Sequence, residues 1–173
     1  MSKLAKQTPD VVTSGITAKL FRDAMAHFAG AVNIITTDGQ GGRAGFTATA
    51  VCSVTDMPPT LLVCVNDKSS VGFAFRQNKA ICVNTVGPEH ERLAIVFGGK
   101  TPNEERFAAA DWKLGKSGAP MLESSLISFD CQIVQSSVVG THRVLVCEVL
   151  DIAKGDQSMA SVYFARQFHS IPI

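Results

Sequence analysis

Long apolar runs are missing from this chain of 173 residues. The opening stretch, MSKLAKQTPDVVTSGITAKL, has no apolar core of signal-peptide length, and no later run approaches a membrane span, so a cytoplasmic protein is expected. Charge is also sparse: 16 basic and 15 acidic residues leave a net +1 with no basic block. That excludes the electrostatic footprint of a nucleic-acid-binding protein. The aromatics, one Trp, one Tyr and ten Phe, are too scattered for a base-stacking platform. The low charge content further implies that some apolar surface is covered in an oligomer. No Cys-x-x-Cys occurs, and the five cysteines each sit in an apolar, strand-like run. They read as reduced core thiols rather than as disulfides or metal ligands.

Several catalytic signatures are absent too. DGQGGRAG lacks the Gly-x-Gly-x-x-Gly register, because Ala44 follows Gly39 and Gly41 where a third glycine belongs. It also opens into a strand, so no helix N-terminus awaits a pyrophosphate. GGKT, 98–101, ends like a P-loop, but Ala94 replaces the first glycine and Pro102 stands where the helix should start. His90 has no second histidine four residues on, and no Gly-x-Ser-x-Gly elbow exists. Nucleotide hydrolysis, zinc chemistry and hydrolase chemistry are therefore set aside.

What is present is a succession of strands. One domain is predicted over 16–173, preceded by a flexible tail over 1–15. TAKLFRDAMAHFAG predicts a helix capped by Thr17, and PEHERLAIVFGG a second with Pro88 in its first turn. SSVGFAFRQN predicts a short helix capped by Ser69 or Ser70. About seven strands connect through short turns, including a long hairpin pivoting on Val139–Gly140 and a closing strand in ASVYFARQFHSI. Consecutive strands with few helical crossovers favour an antiparallel barrel, mainly β (α+β), over a doubly wound sheet.

GFTATAVCSVTDMPP is the informative stretch. Its even positions, Phe46, Ala48, Ala50, Cys52 and Val54, are apolar, which predicts one strand turning that face to the core. The odd positions carry Thr47, Thr49 and Ser53 instead of the charges of an ordinary wet surface. Short hydroxyls along a strand, followed by NDKSS, suit a ring edged with acceptors and a chain ending in phosphate. A flavin is such a ligand. A plain exposed strand would also carry threonines.

The segment from FRDAMAHFAG to TLLVCVN resembles the opening half of the flavin reductase-like, split-barrel FMN-binding family. The likeness continues through ICVNTV, FGGKTPNEERFAAADW, LISFDCQI, GTHRVLVCEV and VYFARQFH, covering the chain from about Leu20 to His169. It implies a split β-barrel homodimer that uses NADH to reduce FMN or FAD. Reduced flavin would then pass to a separate monooxygenase acting on a pyrimidine ring or a phenol. By this resemblance Thr47, Ala48, Thr49, Ala50, Cys52, Ser53 and Val54 line the flavin ring and ribityl chain. Asn66, Lys68, Ser69 and Ser70 lie at the ribityl-phosphate end, and Arg106 lies close to the cofactor. His142, with Tyr163, Phe164, Ala165 and Arg166, flanks the nicotinamide. Many members carry Gly-Asp-His where this chain has Gly140-Thr141-His142.

The implied reaction moves a hydride from nicotinamide C4 to flavin N5, which needs positioning more than a conventional acid–base set. His142 would orient the nicotinamide. Each residue has a structural alternative: a turn cap for His142, an ion pair with Glu104 or Asp111 for Arg106, and barrel packing for Tyr163 and Phe164. Arg43 reads as a solvated hairpin residue. A non-catalytic flavin store on the same barrel is the rival function.

Overall fold

A computed structural model describes residues 15–173; apart from Gly15, the expected tail lies outside the described residues. The chain opens with α1 (Ala18–Met25), whose Thr17 cap accepts from the Leu20 N–H at 3.1 Å. It continues through β1 (Gly30–Ala31), β2 (Asn33–Thr37), β3 (Ala44–Ala48), β4 (Val51–Asp56) and β5 (Pro59–Asn66). Next come α2 (Gly72–Gln77), β6 (Ala80–Thr85), a 3-10 turn at Pro88–His90 running into α3 (Glu91–Gly98), and α4 (Asn103–Ala108). The last third holds β7 (Trp112–Leu114), β8 (Pro120–Leu122), β9 (Ile127–Val139), β10 (His142–Lys154), β11 (Met159–Phe164) and β12 (Gln167–Pro172).

Seven strands form the main sheet in the order β3-β2-β6-β9-β10-β5-β4, and every pairing is antiparallel. The two edge strands, β3 and β4, are neighbours in sequence, separated only by Thr49 and Ala50. A flat sheet cannot bring its edges that close, so the sheet coils into a split barrel. Register shifts between Val146 and Cys147, and between Val149 and Asp151, fall along the long β9–β10 ribbon. Such bulges sharpen the local bend.

Inside the coil, Ile35, Val63, Val65, Phe75, Ile81 and Leu145 form the larger core. Phe46 meets Phe75 edge-on at 5.1 Å. Strand β2 is buried along its whole length, because its other face supports a second core. There Ile34 and Val32 pack with Leu93, Phe97 and Phe107 of α3 and α4, beside Trp112 at 5.0 Å from Phe107. Gly45 makes this layer possible: a Cβ there would lie 2.6 Å from the Phe97 ring.

The single strand expected across residues 46–54 is two strands on opposite edges. Phe46 packs on the core and Ala48 is buried, but Ala50, Cys52 and Val54 are exposed. The break at Thr49–Ala50 shifts the parity, so Val51 packs inward instead. Four of five thiols are at least half-buried, whereas Cys52 is exposed. Burial pushes Cys147 up to about 12 and Cys131 higher still, leaving both as inert thiols at neutral pH. The predicted closing strand is a hairpin, β11–β12, turning at Ala165 (φ 50°) and Arg166 (φ 62°). Ser69 and Ser70 do not cap α2, since its N-cap is Val71, without a side-chain bond. Helix α4 and the β7–β8 hairpin carried no pattern strong enough to predict.

Asn84 ties the layers together from a fully buried position on β6. Its amide donates to the Ile34 carbonyl at 2.9 Å and to Thr36 Oγ1 at 3.2 Å. Its carbonyl accepts from the Leu122 N–H at 2.9 Å and from Ser128 Oγ at 2.7 Å. Asn84→Leu strands these buried partners, each at about 1–3 kcal/mol. The expected loss is roughly 3 kcal/mol or more, measured by urea unfolding.

Candidate flavin site

The seam between the sheet edges and α3 is open. Thr47 on β3 donates its hydroxyl to the Ala94 carbonyl of α3 at 2.6 Å, and the Gly98–Gly99 end of α3 sits over it. A cavity of about 470 Å³ runs along this seam, lined by Thr47, Ala48 and Thr49 on one side and Ala94, Ile95 and Gly98 on the other. Tyr163 and Phe168, packed edge-on with centroids 5.2 Å apart, close one end.

A smaller cavity of about 190 Å³ continues past Thr47, Gly98 and Gly99 to Asn66, Ser69, Ser70 and Arg106. Sharing Thr47, Gly98 and Gly99, the two line up as one trough, apolar and aromatic at one end; at the other, its polar end, these four polar side chains stand among Phe46, Val65, Val71 and Phe97. Arg106 is only 4% exposed. Its Nε donates to the Thr101 carbonyl at 2.7 Å, Nη1 to Gly45 at 2.7 Å and Nη2 to Gly99 at 2.9 Å. Among the described residues no carboxylate lies within ion-pair distance of it. The surface ion pair with Glu104 or Asp111 is thus replaced by a buried clamp on three carbonyls. Burial lowers its pKa from the ordinary guanidinium range, yet an arginine stays charged at neutral pH. Three of its five N–H donors are used, so an uncompensated cation with donors to spare borders the polar end.

The loop from Asn66 to Ser70 gets its shape from its own side chains. Asn66 Oδ1 accepts from the Lys68 N–H at 3.0 Å, and Ser69 Oγ donates to the Asn66 carbonyl at 2.7 Å. Lys68 is exposed and outside the trough lining. The six-residue α2 begins at Gly72, so hydroxyls and side-chain cations dominate here rather than a helix N-terminus.

A third cavity, about 530 Å³, adjoins the first at Thr49 and Tyr163 and takes in Ala50, Phe28, Arg22 and Arg166. Arg166 is drawn to Asp23 at 2.5 Å, while the Ala165 N–H donates to the Ala26 carbonyl at 2.7 Å. These contacts fasten the β11–β12 turn to α1. Phe164 instead meets His27 edge-on at 6.3 Å.

The structure therefore gathers Thr47, Ala48, Thr49, Asn66, Ser69, Ser70, Arg106 and Tyr163 along one trough, with Ala50 and Arg166 beside it. Cys52, Ser53 and Val54 lie farther along exposed edge strand β4 and line none of these cavities. His142 starts β10 opposite Asn66, with Nδ1 3.0 Å from Thr141 Oγ1. It lines none of these cavities and adjoins the polar end only through its pairing with Asn66. Sequence reasoning missed the wall made by Ala94, Ile95 and Gly98–Gly99. The Gly-Gly pair marks the end of the predicted PEHERLAIVFGG helix, but nothing local says which strand that end packs over.

Comparison with known proteins agrees with this geometry. The family model described as "Flavin reductase like domain" matches residues 25–172. A Pseudomonas syringae protein named FMN reductase (NADH) RutF is 53% identical over 166 residues, covering 95% of this chain and 93% of its own. The Serratia proteamaculans protein of the same name is 56% identical, covering 87% of this chain and 86% of its own. Among solved structures, flavin reductase PheA2 superposes with TM-score 0.80 at 28% identity, over 91% of this chain and all of that one. Flavin reductase HpaC, solved with NADP+, gives 0.81 at 26%, over 90% and 98%. With sequence, fold and trough in agreement, the chain belongs to the flavin reductase-like domain family.

Proposed function

We propose that this protein is an NADH-dependent flavin reductase, with FMN as its flavin. One observation carries the reading: a buried, unpaired guanidinium, Arg106, closes the polar end of a trough whose other end is apolar. A phosphate monoester supplies the countercharge that the protein leaves out, and a flat ring suits the Thr47–Thr49 seam. Bound there, the flavin supplies the acceptor for the two electrons and the proton carried by the nicotinamide. The chain's own residues then bind and orient. Thr49, exposed and facing two cavities, is free to hydrogen-bond a ring edge. Ser69, Ser70, Asn66 and Arg106 hold the phosphate, and Tyr163 and Arg166 bound the adjoining space for the donor. Backbone groups along the seam would stabilise growing negative charge without reorganising.

Fluorescence titration with FMN tests the binding, and NADH oxidation with and without FMN tests the reaction. A protein that binds FMN but leaves NADH unoxidised would be the flavin store instead. Thr49→Val should weaken FMN binding by about 0.5–1.5 kcal/mol, the worth of a neutral hydrogen bond. Ser53→Val should leave it unchanged. Equal affinities for both variants would reduce the strand hydroxyls to surface.

His142 is proposed to orient the donor. The family resemblance, rather than its strand pairing with Asn66, places it beside the donor, so its effect is expected chiefly on NADH. His142→Ala should raise the KM for NADH, with kcat/KM falling up to about 10²-fold as positioning is lost, while FMN affinity holds. Parallel loss of both would favour the turn-cap role.

Solvent-open access along Thr49, Ile95 and Gly98 supports release of reduced FMN to a separate flavin-dependent monooxygenase. Among the described residues no helix is long and apolar enough to cross a membrane, and free thiols suit the cytoplasm. A homodimer is proposed from α1 and the turn after it, where Leu20, Phe21, Met25 and Phe28 are all 45% exposed or more. The interface is expected to bury about 2,000 Å² or more. Light scattering checks it, and an active monomer at micromolar concentration would overturn it.

A further inference from the structure

Two segments flank the polar end of the trough: the 66–70 loop after β5, and the turn entering β10. They are sewn together more closely than strand pairing alone requires. Asn66 and His142 are partners in the β5–β10 ladder, and the Asp67 N–H donates to the Thr141 carbonyl at 3.1 Å. Just beyond, Asp67 takes both arms of Arg143, Nε at 2.9 Å from Oδ1 and Nη2 at 3.3 Å from Oδ2. Paired N–H donors on one carboxylate fix direction as well as distance. Arg143 is held in turn by Ser136 Oγ on β9, 3.2 Å from Nη1.

A second guanidinium reaches the same residue from α2. Arg76 Nη1 donates to the Asp67 carbonyl at 3.0 Å and lies 3.3 Å from Oδ1. Arg143, reinforced by Arg76, holds the Asp67 carboxyl below its usual range against the opposing effect of burial. The loop is also pressed onto the start of α2. Gly72 leaves room for the Asp67 carbonyl, which a Cβ would approach to 2.5 Å. The Asp67 side chain is 24% exposed and that of Arg143 17%, so the pair is largely covered behind the loop rather than free in solvent, although neither residue lines the trough. Two cations share this one carboxylate, which leaves the cluster with a net positive charge beside the loop proposed to hold the phosphate.

We propose that Asp67 is a positioning residue whose grip on Arg143 and Arg76 joins the phosphate-binding loop and the His142 turn into one unit. This rests on the flavin-reductase reading above. Its consequence is coupling: whatever seats Asn66, Ser69 and Ser70 around the flavin also sets where His142 stands toward the donor. Removing the carboxylate charge frees Arg143, slackens the loop and turns His142 out of place, with both effects arising from one side chain. A salt bridge that merely stabilised the barrel would lower the melting temperature without touching the relation between the two ligands.

The experiment compares wild type, Asp67→Asn, His142→Ala and the double variant. FMN affinity is read by fluorescence, and kcat/KM for NADH at saturating FMN. Asp67→Asn should raise the Kd for FMN about tenfold and lower kcat/KM for NADH by a similar factor. In the double variant the NADH losses should be far from multiplicative, because Asp67 acts on the donor through His142. Asp67→Glu, which keeps the charge, should recover part of both losses. Should Asp67→Asn fail to fold, Arg143→Met opens the same joint from the other side and carries the same expectations. An FMN Kd within twofold of wild type, or NADH losses that simply multiply, would overturn the coupling while leaving the reductase reading intact. A wild-type protein that neither binds FMN nor oxidises NADH would overturn that reading and this inference together.

Discussion

Two residues, Thr49 and Ala50, span the gap between the outermost strands of a seven-stranded sheet. Because so short a link cannot cross an open sheet, the sheet must coil until β3 and β4 meet. The core then fills the inside of the coil, and a seam is left where the edges come together without hydrogen-bonding to each other. That seam is where α3 docks, through the Thr47 hydroxyl on its Ala94 carbonyl. The trough is therefore a product of incomplete closure: a fully paired barrel would have no such gap.

Closing the polar end falls to Arg106, and the choice of residue has consequences. Its guanidinium bridges the Gly45 carbonyl of β3, the Gly99 carbonyl at the end of α3 and the Thr101 carbonyl ahead of α4. A lysine could not reach three carbonyls in one plane. Burying a cation without a carboxylate is costly unless dipoles or a ligand anion offset it. The carbonyls meet part of that cost, and the proposed phosphate would meet the remainder. The same side chain thereby shapes the wall and selects the charge of what lies against it.

Much of this was legible in the sequence, and the limits have physical causes. Thr17 as a cap, Pro88 opening a helix and the long hairpin pivoting beside Gly140 are local signals, each readable from a few neighbouring residues. The strand over residues 46–54 misled because period two survives a break of two residues when both halves alternate. Only the parity of Val51, packed inward where the pattern places it outside, reveals the change of edge. Thr47 and Thr49 line the trough, whereas Ser53 shares their pattern without sharing their edge. Arg106 was singled out, but not its burial, since Asn-Glu-Glu-Arg is a run of polar and charged residues with no apolar residue among them to mark it as covered. The wall from α3 and the Asp67–Arg143 pair were invisible for another reason. Each joins segments tens of residues apart, and no single-sequence periodicity encodes such contacts.

The same geometry explains how the chain does without a catalytic acid, base or nucleophile in the trough. When the bound ring and the donor carry the reactive atoms, the rate depends on holding two flat surfaces together. A loss of alignment costs as much as a lost functional group would elsewhere. Rigidity then becomes the property that matters, and here it is concentrated at the ends of the trough. At one end the Tyr163–Phe168 pair and the turn fastened by Ala165 to α1 fix the aromatic wall. At the other, Arg106 and the Asp67 cluster fix the loop and the His142 turn. Between them lies the seam itself, where Thr49 is exposed and the sheet is unpaired. Two stiff ends around an open middle suit the proposed function, in which a flavin would be held flat during transfer and then leave.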